Sequence, residues 1–211
     1  RFALPSPGLV NLDVYDVRIS GSDVDPAHVE LQSALSIDSI ALARGSELRL
    51  EDSAAMELRT RPERLGSGRI ENEGRIVVGA GAALLTDAGR TTLAGSGSLE
   101  LEGGVIRPAS GYPRFDSTLV NTVGHTLRGH GEISAFLDNY GVLAVSSPGL
   151  LRADLYRNFG RIEVSGGGEL RTEFQVGQDA NRGRLDVRGP GSRAAFSGYG
   201  LISSGRIDVT E

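Results

Sequence analysis

The stretch Asn158-Phe-Gly-Arg-Ile-Glu-Val164 decides the fold, because its pattern returns as Asn181-Arg-Gly-Arg-Leu-Asp-Val187. The pattern is a turn residue, any residue, Gly, any residue, and then two apolar residues separated by one other residue. Further copies begin at Asn72, Asn139 and Ser203. The last four copies begin 19, 23 and 22 residues apart, and Asn72 precedes Asn139 by 67 residues, or three steps of about 22. This period predicts a solenoid, in which each repeat packs only against its neighbours.

Apolar residues at positions i and i+2 predict short strands with two inward side chains and one outward polar side chain between them. Such pairs are Val29/Leu31, Leu35/Ile37, Ile40/Leu42, Leu48/Leu50, Met56/Leu58, Ile76/Val78, Leu99/Leu101, Ile162/Val164, Leu185/Val187 and Ile207/Val209. No ten-residue stretch carries the 3.6-residue period of a helix. The sequence therefore predicts an all-β solenoid with coils of about 19–23 residues.

The chain reads as one continuous solenoid over residues 31–211, with a loop insertion near residues 107–116. Residues 1–30 are irregular and are interpreted as an N-terminal cap or an irregular first coil. The apolar alternation shifts by one position near Tyr15, which predicts a bulge or corner there. Both ends fall within a residue or two of a repeat strand, so we expect the chain to be a segment of a longer protein.

Composition excludes several classes of function. The formal net charge of −5 is spread over mixed charges with no basic stripe, so no nucleic-acid partner is expected. The absence of Cys removes disulfides and thiolate metal sites. No apolar run reaches the ~20 residues that span a bilayer, so we expect no direct membrane insertion of this segment.

The recurring asparagines predict a structural turn ladder. Stacked coils would place Asn139, Asn158 and Asn181 one above another, each amide donating to the next, with Ser203 at the end. Asn72 occupies the same position of an earlier copy.

The outward charges of the same copies predict two files. Arg161, Arg184 and Arg206 would lie in one file, and Glu163, Asp186 and Asp208 in the next. Because like charges would be stacked, diagonal contacts between Arg and acid must compensate.

Two groups of residues invite a metal hypothesis. His125 and His130 lie five positions apart near Glu132, but a metal site needs three or four convergent ligands, so we interpret them as structural or surface residues. His125 would share the face of Leu127 if that leucine points inward. Asp23 and Asp25 would offer Ca²⁺ oxygens on a loop, yet a lone Asp-x-Asp is typical of a polar turn. The expected cofactor and metal sets are none, with Ca²⁺ left as an alternative.

The insertion is the predicted ligand-contact loop. Its candidate residues are Arg107, Tyr112, Arg114, Phe115 and Asp116, since loops that interrupt a rigid scaffold often carry function and Arg and aromatic groups suit sugar or protein binding. The carboxylates elsewhere are regularly spread, and no pair is marked as catalytic. No catalytic residue is therefore predicted.

Asn121-Thr-Val-Gly-His-Thr-Leu-Arg-Gly-His-Gly-Glu-Ile133, followed by Asn139-Tyr-Gly-Val-Leu-Ala-Val145, resembles repeats of large secreted bacterial surface proteins. These include autotransporter passenger regions and filamentous-haemagglutinin-like adhesins, and residues 35–58 are similar to autotransporter strand repeats. The resemblance implies a right-handed parallel β-helix, export from the cell, and a stalk, adhesin or matrix role. It carries over no catalytic residue.

The sequence is therefore interpreted as a non-catalytic structural or adhesive rod segment at the bacterial cell surface or outside the cell. Expected partners are a host or matrix glycan or protein surface, or neighbouring segments of the same larger protein. The alternatives are a β-helical polysaccharide lyase or glycoside hydrolase, and a phage-type tailspike or fibre solenoid, which would require trimers.

Overall fold

A computed structural model describes residues 15–21, 24–59, 67–87, 89–109, 117–146, 148–174, 179–198 and 202–210. Within these ranges the backbone forms 21 strands and no helix. Neighbouring strands come from successive coils and pair in parallel. The all-β parallel β-helix predicted from the repeat is confirmed.

Each coil passes through three faces in turn. The first face follows the Asn-x-Gly turn and holds β2 (His28–Leu31), β4 (Glu47–Leu50), β7 (Arg75–Gly79), the start of β10 (Ser98–Pro108), the start of β12 (Thr126–Asn139), β13 (Val142–Ser146), β15 (Arg161–Ser165), β18 (Arg184–Arg188) and β21 (Arg206–Thr210).

The second face holds the start of β3 (Ala34–Leu42), β5 (Ala55–Leu58), β8 (Ala83–Thr86), the end of β10, the middle of β12, the start of β14 (Leu150–Asn158), β16 (Glu169–Phe174) and β19 (Arg193–Gly198).

The third face holds β1 (Tyr15–Ile19), the end of β3, β6 (Ser67–Asn72), β9 (Gly89–Ala94), β11 (Ser117–Asn121), the ends of β12 and β14, β17 (Asp179–Asn181) and β20 (Ile202–Ser203).

The core is a column of aliphatic side chains between the three faces. The alternating pairs that point inward and are buried are Ile40/Leu42, Leu48/Leu50, Met56/Leu58, Ile76/Val78, Leu99/Leu101, Ile162/Val164 and Leu185/Val187. The strand register stacks aliphatic side chains of successive coils on one another. For example, Leu143, Ile162 and Leu185 align across β13, β15 and β18. Each such burial contributes about 1.5–3 kcal/mol. On β21 the corresponding Ile207 and Val209 remain 46% and 71% exposed.

Coil length varies more than the repeat suggests. The rungs from Asn139 to Ser203 are separated by 19, 23 and 22 residues, the predicted spacing. Elsewhere the coil from Leu127 to Leu143 takes 16 residues, and the one from Leu99 to Leu127 takes 28. The faces stay in register because the difference is absorbed in the connections between them.

The irregular N-terminal segment contributes strands to the same sheet. β1 pairs with β3, and β2 pairs with β4. The register of β1 shifts between Tyr15 and Asp16, next to the phase slip seen in the sequence. Residues 1–14 lie outside the described ranges, and the boundary near residue 30 stays a prediction. No helix in the described chain is long and apolar enough to cross a membrane.

Candidate functional site

A file of buried amides runs along the corner between the third and first faces. Asn139 Nδ2 donates to Asn158 Oδ1 at 2.8 Å, and Asn158 Nδ2 donates to Asn181 Oδ1 at 2.7 Å. Asn181 Nδ2 then donates to Ser203 Oγ at 3.0 Å. The three amides are at most 4% exposed. This asparagine ladder links adjacent coils through their side chains as well as through the sheet.

The ladder continues past the repeated phrase through Asn121 and His125. Asn121 Nδ2 donates to Asn139 Oδ1 at 2.8 Å and to the carbonyl of Val142 at 3.0 Å. His125 Nδ1 lies 2.8 Å from Asn121 Oδ1, and its Nε2 lies 3.2 Å from Asn72 Nδ2. Sequence reasoning missed Asn121 as a rung because its turn is two residues longer and lacks the Asn-x-Gly spacing.

The hydrogen bonds of Asn72 determine the tautomer of His125. Asn72 Oδ1 accepts from the amide of Gly74, and its Nδ2 donates to the carbonyl of Ser98 at 2.8 Å. The amide nitrogen of Asn72 therefore faces His125 Nε2, and because this amide nitrogen can only donate, Nε2 must accept the hydrogen bond. The ring proton is then on Nδ1 and is donated to Asn121 Oδ1. A neutral imidazole completes one polarised chain from Asn72 to Ser203.

Burial maintains that neutral state. His125 is 0% exposed, beside the inward Leu127 at 1%. Loss of solvation lowers the pKa of His125 to about 4. His130 is exposed, so the two histidines do not converge. No group of three or more His, Cys, Asp or Glu residues that would suit a metal ion occurs within the described ranges.

The outward charges of the last coils form the two expected files. Arg161 and Arg184 are register partners, as are Glu163 and Asp186. Arg161 Nε reaches diagonally to Asp186 Oδ2 at 2.9 Å, and Arg184 donates to Asp186 Oδ1 at 2.8 Å. Burial opposes ionisation of Asp186, but hydrogen bonds from Arg184 and Arg161 outweigh it and lower the pKa of this carboxyl.

A second charge network covers the first face in the earlier coils. Arg75 contacts Glu47 at 2.7 Å and Glu100 at 2.8 Å, and Arg128 contacts Glu100 at 3.0 Å. Beneath these side chains Val77 is 0% exposed, although its position in the strand points outward. Each of the seven arginines on this face pairs with a carboxylate; they are Arg49, Arg75, Arg128, Arg161, Arg184, Arg188 and Arg206.

Aromatic rings stack beside the asparagine ladder. Tyr140 and Phe159, the middle residues of two Asn-x-Gly turns, have ring centroids 4.9 Å apart at an interplanar angle of 9°. The guanidinium of Arg182, at the same position one coil further on, lies 5.8 Å from the Phe159 centroid. The ring faces are occupied by one another, so this stack stabilises the corner. The repeat pattern did not predict this stack, because its residues occupy the variable position of the Asn-x-Gly turn.

A shallow groove of about 380 Å³ crosses the second face. Its polar lining comes from successive coils and consists of Glu132, Ser134, Arg152, Asp154, Arg171, Thr172 and Ser197. Glu132 and Arg152 are register partners on β12 and β14. An adjoining depression of about 240 Å³ shares these two residues.

The predicted ligand-contact loop is only partly described. Arg107 lies near the end of β10 on the second face and is exposed. Because Val105 pairs with Glu132, the strand of Arg107 neighbours the strand that lines the groove. Tyr112, Arg114, Phe115 and Asp116 lie outside the described residues, as does Asp23 of the calcium hypothesis, and their roles stay predictions.

The geometry therefore offers a hydrogen-bonded polar corner, a first face whose described arginines are all paired with carboxylates, and an open polar groove on the second face. Comparisons with models of known families, with curated proteins and with solved structures found no significant match for this chain.

Proposed function

We propose that this β-helix is a stiff structural and adhesive rod segment of an extracellular or cell-surface bacterial protein. The observation that supports it best is the chain of side-chain hydrogen bonds from Asn72 through His125 to Ser203. It runs along the solenoid axis and would add resistance to separation of the coils. Buried hydrogen bonds of this kind are costly to leave unmade.

The paired charges of the first face support a scaffold role. Arg161 and Arg184 hold Asp186 so closely that its side chain is only 2% exposed. Groups engaged in this way are not free for acid–base chemistry, which requires a positioned carboxyl within reach of substrate. A regular face that repeats every coil suits weak contacts made many times along a rod.

The partners proposed for the rod are a host or matrix glycan or protein surface, or neighbouring segments of the same larger protein. The parallel β-helical repeat is compatible with all of these. Location outside the cell rests on the resemblance of the repeats to secreted bacterial surface proteins.

The experiment that tests a non-catalytic role incubates the full chain with a panel of polysaccharides and counts new chain ends over time. We expect none above the level of a heat-denatured control. Sustained release of new ends would overturn the proposal in favour of a polysaccharide-cleaving enzyme. Trimers in analytical ultracentrifugation would instead favour a tailspike or fibre solenoid.

A further inference from the structure

Glu132 and Arg152 differ from the arginines of the first face. Both are exposed, and neither has a hydrogen bond or ion pair among the described residues. On the first face, by contrast, arginines such as Arg75 and Arg184 are held by carboxylates. Glu132 and Arg152 are register partners. The carboxylate oxygens of Glu132 and the guanidinium N–H groups of Arg152 therefore remain available to accept and donate hydrogen bonds in the groove.

The groove is built to receive an extended ligand. It crosses β12, β14, β16 and β19, which at ~4.8 Å per coil gives a length of about 15 Å. The adjoining depression is lined by Gly103, Gly104 and Gly131 and continues it towards the first face. Gly131 has φ +140°, and a Cβ there would lie 2.3 Å from the carbonyl oxygen of Gly104. Close packing of the two coils therefore requires glycine at this position.

The chemistry of the lining favours hydroxyl groups. Glu132 and Asp154 accept hydrogen bonds, Arg152 and Arg171 donate them, and Ser134 and Ser197 can do both. The two unpaired charges are of opposite sign, so neither a polyanion nor a polycation is favoured overall. No aromatic ring lines the described part of the groove, so a ligand would be held by hydrogen bonds rather than by stacking.

A polypeptide fits this groove less well. Strand addition needs an unpaired sheet edge, but β12 lies between β10 and β14, and β14 lies between β12 and β16. The lining also lacks the apolar pockets that read side chains. We propose that the groove around Glu132 and Arg152 binds a neutral polysaccharide chain laid along the solenoid axis.

This proposal rests on the proposed adhesive function and gives it a site and a ligand class. The test immobilises the full chain and measures its dissociation constants for a neutral galactomannan, a polyuronate, a sulfated glycan and unfolded casein. The substitution E132Q keeps side-chain size, R152Q shortens the side chain but keeps a polar donor, and each removes one charge. R90Q alters an exposed arginine on β9 of the third face and is the matched control.

We expect the galactomannan to be retained best, with little dependence on salt, since screening weakens only ionic contacts. R152Q and E132Q should each weaken it about tenfold, the usual effect of losing one charge-assisted hydrogen bond, and R90Q should leave it unchanged. The groove assignment would be overturned if the unsubstituted chain, R152Q, E132Q and R90Q all retained galactomannan equally. It would also be overturned if galactomannan were not retained, or if another probe were preferred. The rod function would be overturned by the release of new chain ends, which these binding measurements do not detect. The failure of the groove assignment is therefore distinguishable from the failure of the rod function.

Discussion

Nε2 of His125 lies 3.2 Å from Nδ2 of Asn72, although 53 positions separate the two residues in sequence. The contact passes over the intervening coil, where Gly95 stands in place of an asparagine. A neutral imidazole carries a donor and an acceptor on its two ring nitrogens, as an amide does on its nitrogen and oxygen, so the ring takes the place of the missing rung. Continuity of the ladder therefore depends on one histidine in its neutral form.

Stability should fall as the pH is lowered through the slightly acidic range because of His125. Its pKa is lowered from 6.5 to about 4 in the folded chain. Above the unfolded value both states are neutral, and below it the unfolded chain binds a proton that the folded chain does not. The free energy of unfolding should fall by about 1.4 kcal/mol per pH unit between the two values, or ~3 kcal/mol in total. Urea denaturation at a series of pH values measures this slope.

Two variants separate this histidine from other titrating groups. H125Q keeps a donor and an acceptor without a titrating ring and should flatten the slope, whereas H130Q on the surface should preserve it. The carboxyls with lowered pKa are Glu73, Glu100 and Asp186, whose ordinary values are 4.5, 4.5 and 3.8, and they lose their contribution mainly at lower pH. A slope between about pH 5 and 6.5 that survives in H125Q would contradict the assignment.

A middle rung of the ladder should matter more than its end. Asn158→Leu removes the acceptor of Asn139 Nδ2 and the donor to Asn181 Oδ1 at once. Buried polar groups left unpaired cost about 1–3 kcal/mol each, so we expect a loss of about 2–5 kcal/mol. Ser203→Ala removes the acceptor of Asn181 Nδ2 and a 3.3 Å hydrogen bond to the Asn181 carbonyl, but it does so at the exposed end of the file, where water can replace both, and it should cost below about 1 kcal/mol. Equal losses of the two variants in thermal unfolding would contradict the greater weight of a middle rung.

The repeat makes part of this architecture predictable. Asn158-Phe-Gly and Asn181-Arg-Gly carry the turn, the inward pair and the amide in one local phrase, so coil stacking follows from spacing alone. The bridge from His125 to Asn72 is a contact between distant coils, and the coils between them have 23 to 28 residues. Register across unequal coils is set by packing in three dimensions, which a one-dimensional period does not encode.

The charge pattern is likewise predictable from the sequence only in part. Alternation places Arg184 and Asp186 on the outside of β18, and the need for diagonal pairs follows from like charges in a file. Glu100 and Glu132 each have an arginine as register partner in the next coil, Arg128 and Arg152, yet among the described residues only Glu100 of the two is ion-paired, so the sequence pattern alone does not decide which acid is left unpaired. The groove therefore emerges only from the structure.

Asp186 should be the most sensitive acid of the outer files. It is 1% exposed and accepts from Arg161 and Arg184 at 2.9 and 2.8 Å. Asp186→Asn removes the charge that both guanidinium groups address, so we expect a loss of about 1–3 kcal/mol. Glu163→Gln affects a side chain that is 37% exposed and bound to Arg161, and it should cost at most about 0.5 kcal/mol. Chemical denaturation of the two variants side by side distinguishes them, and an equal, small effect would argue against a role for burial.

Gly95 should tolerate no side chain. It has φ +99°, and a Cβ there would lie 2.2 Å from the carbonyl oxygen of Asn72, the residue that His125 reaches over it. Gly95→Ala therefore combines backbone strain with a clash against the rigid backbone of the neighbouring coil, and we expect a loss of more than about 3 kcal/mol. Gly189→Ala, at φ +81° with nothing within 4 Å of the added Cβ, isolates the strain alone and should cost about 1 kcal/mol. Thermal unfolding of both variants gives the difference, which measures the close approach between coils that lets one imidazole complete the ladder.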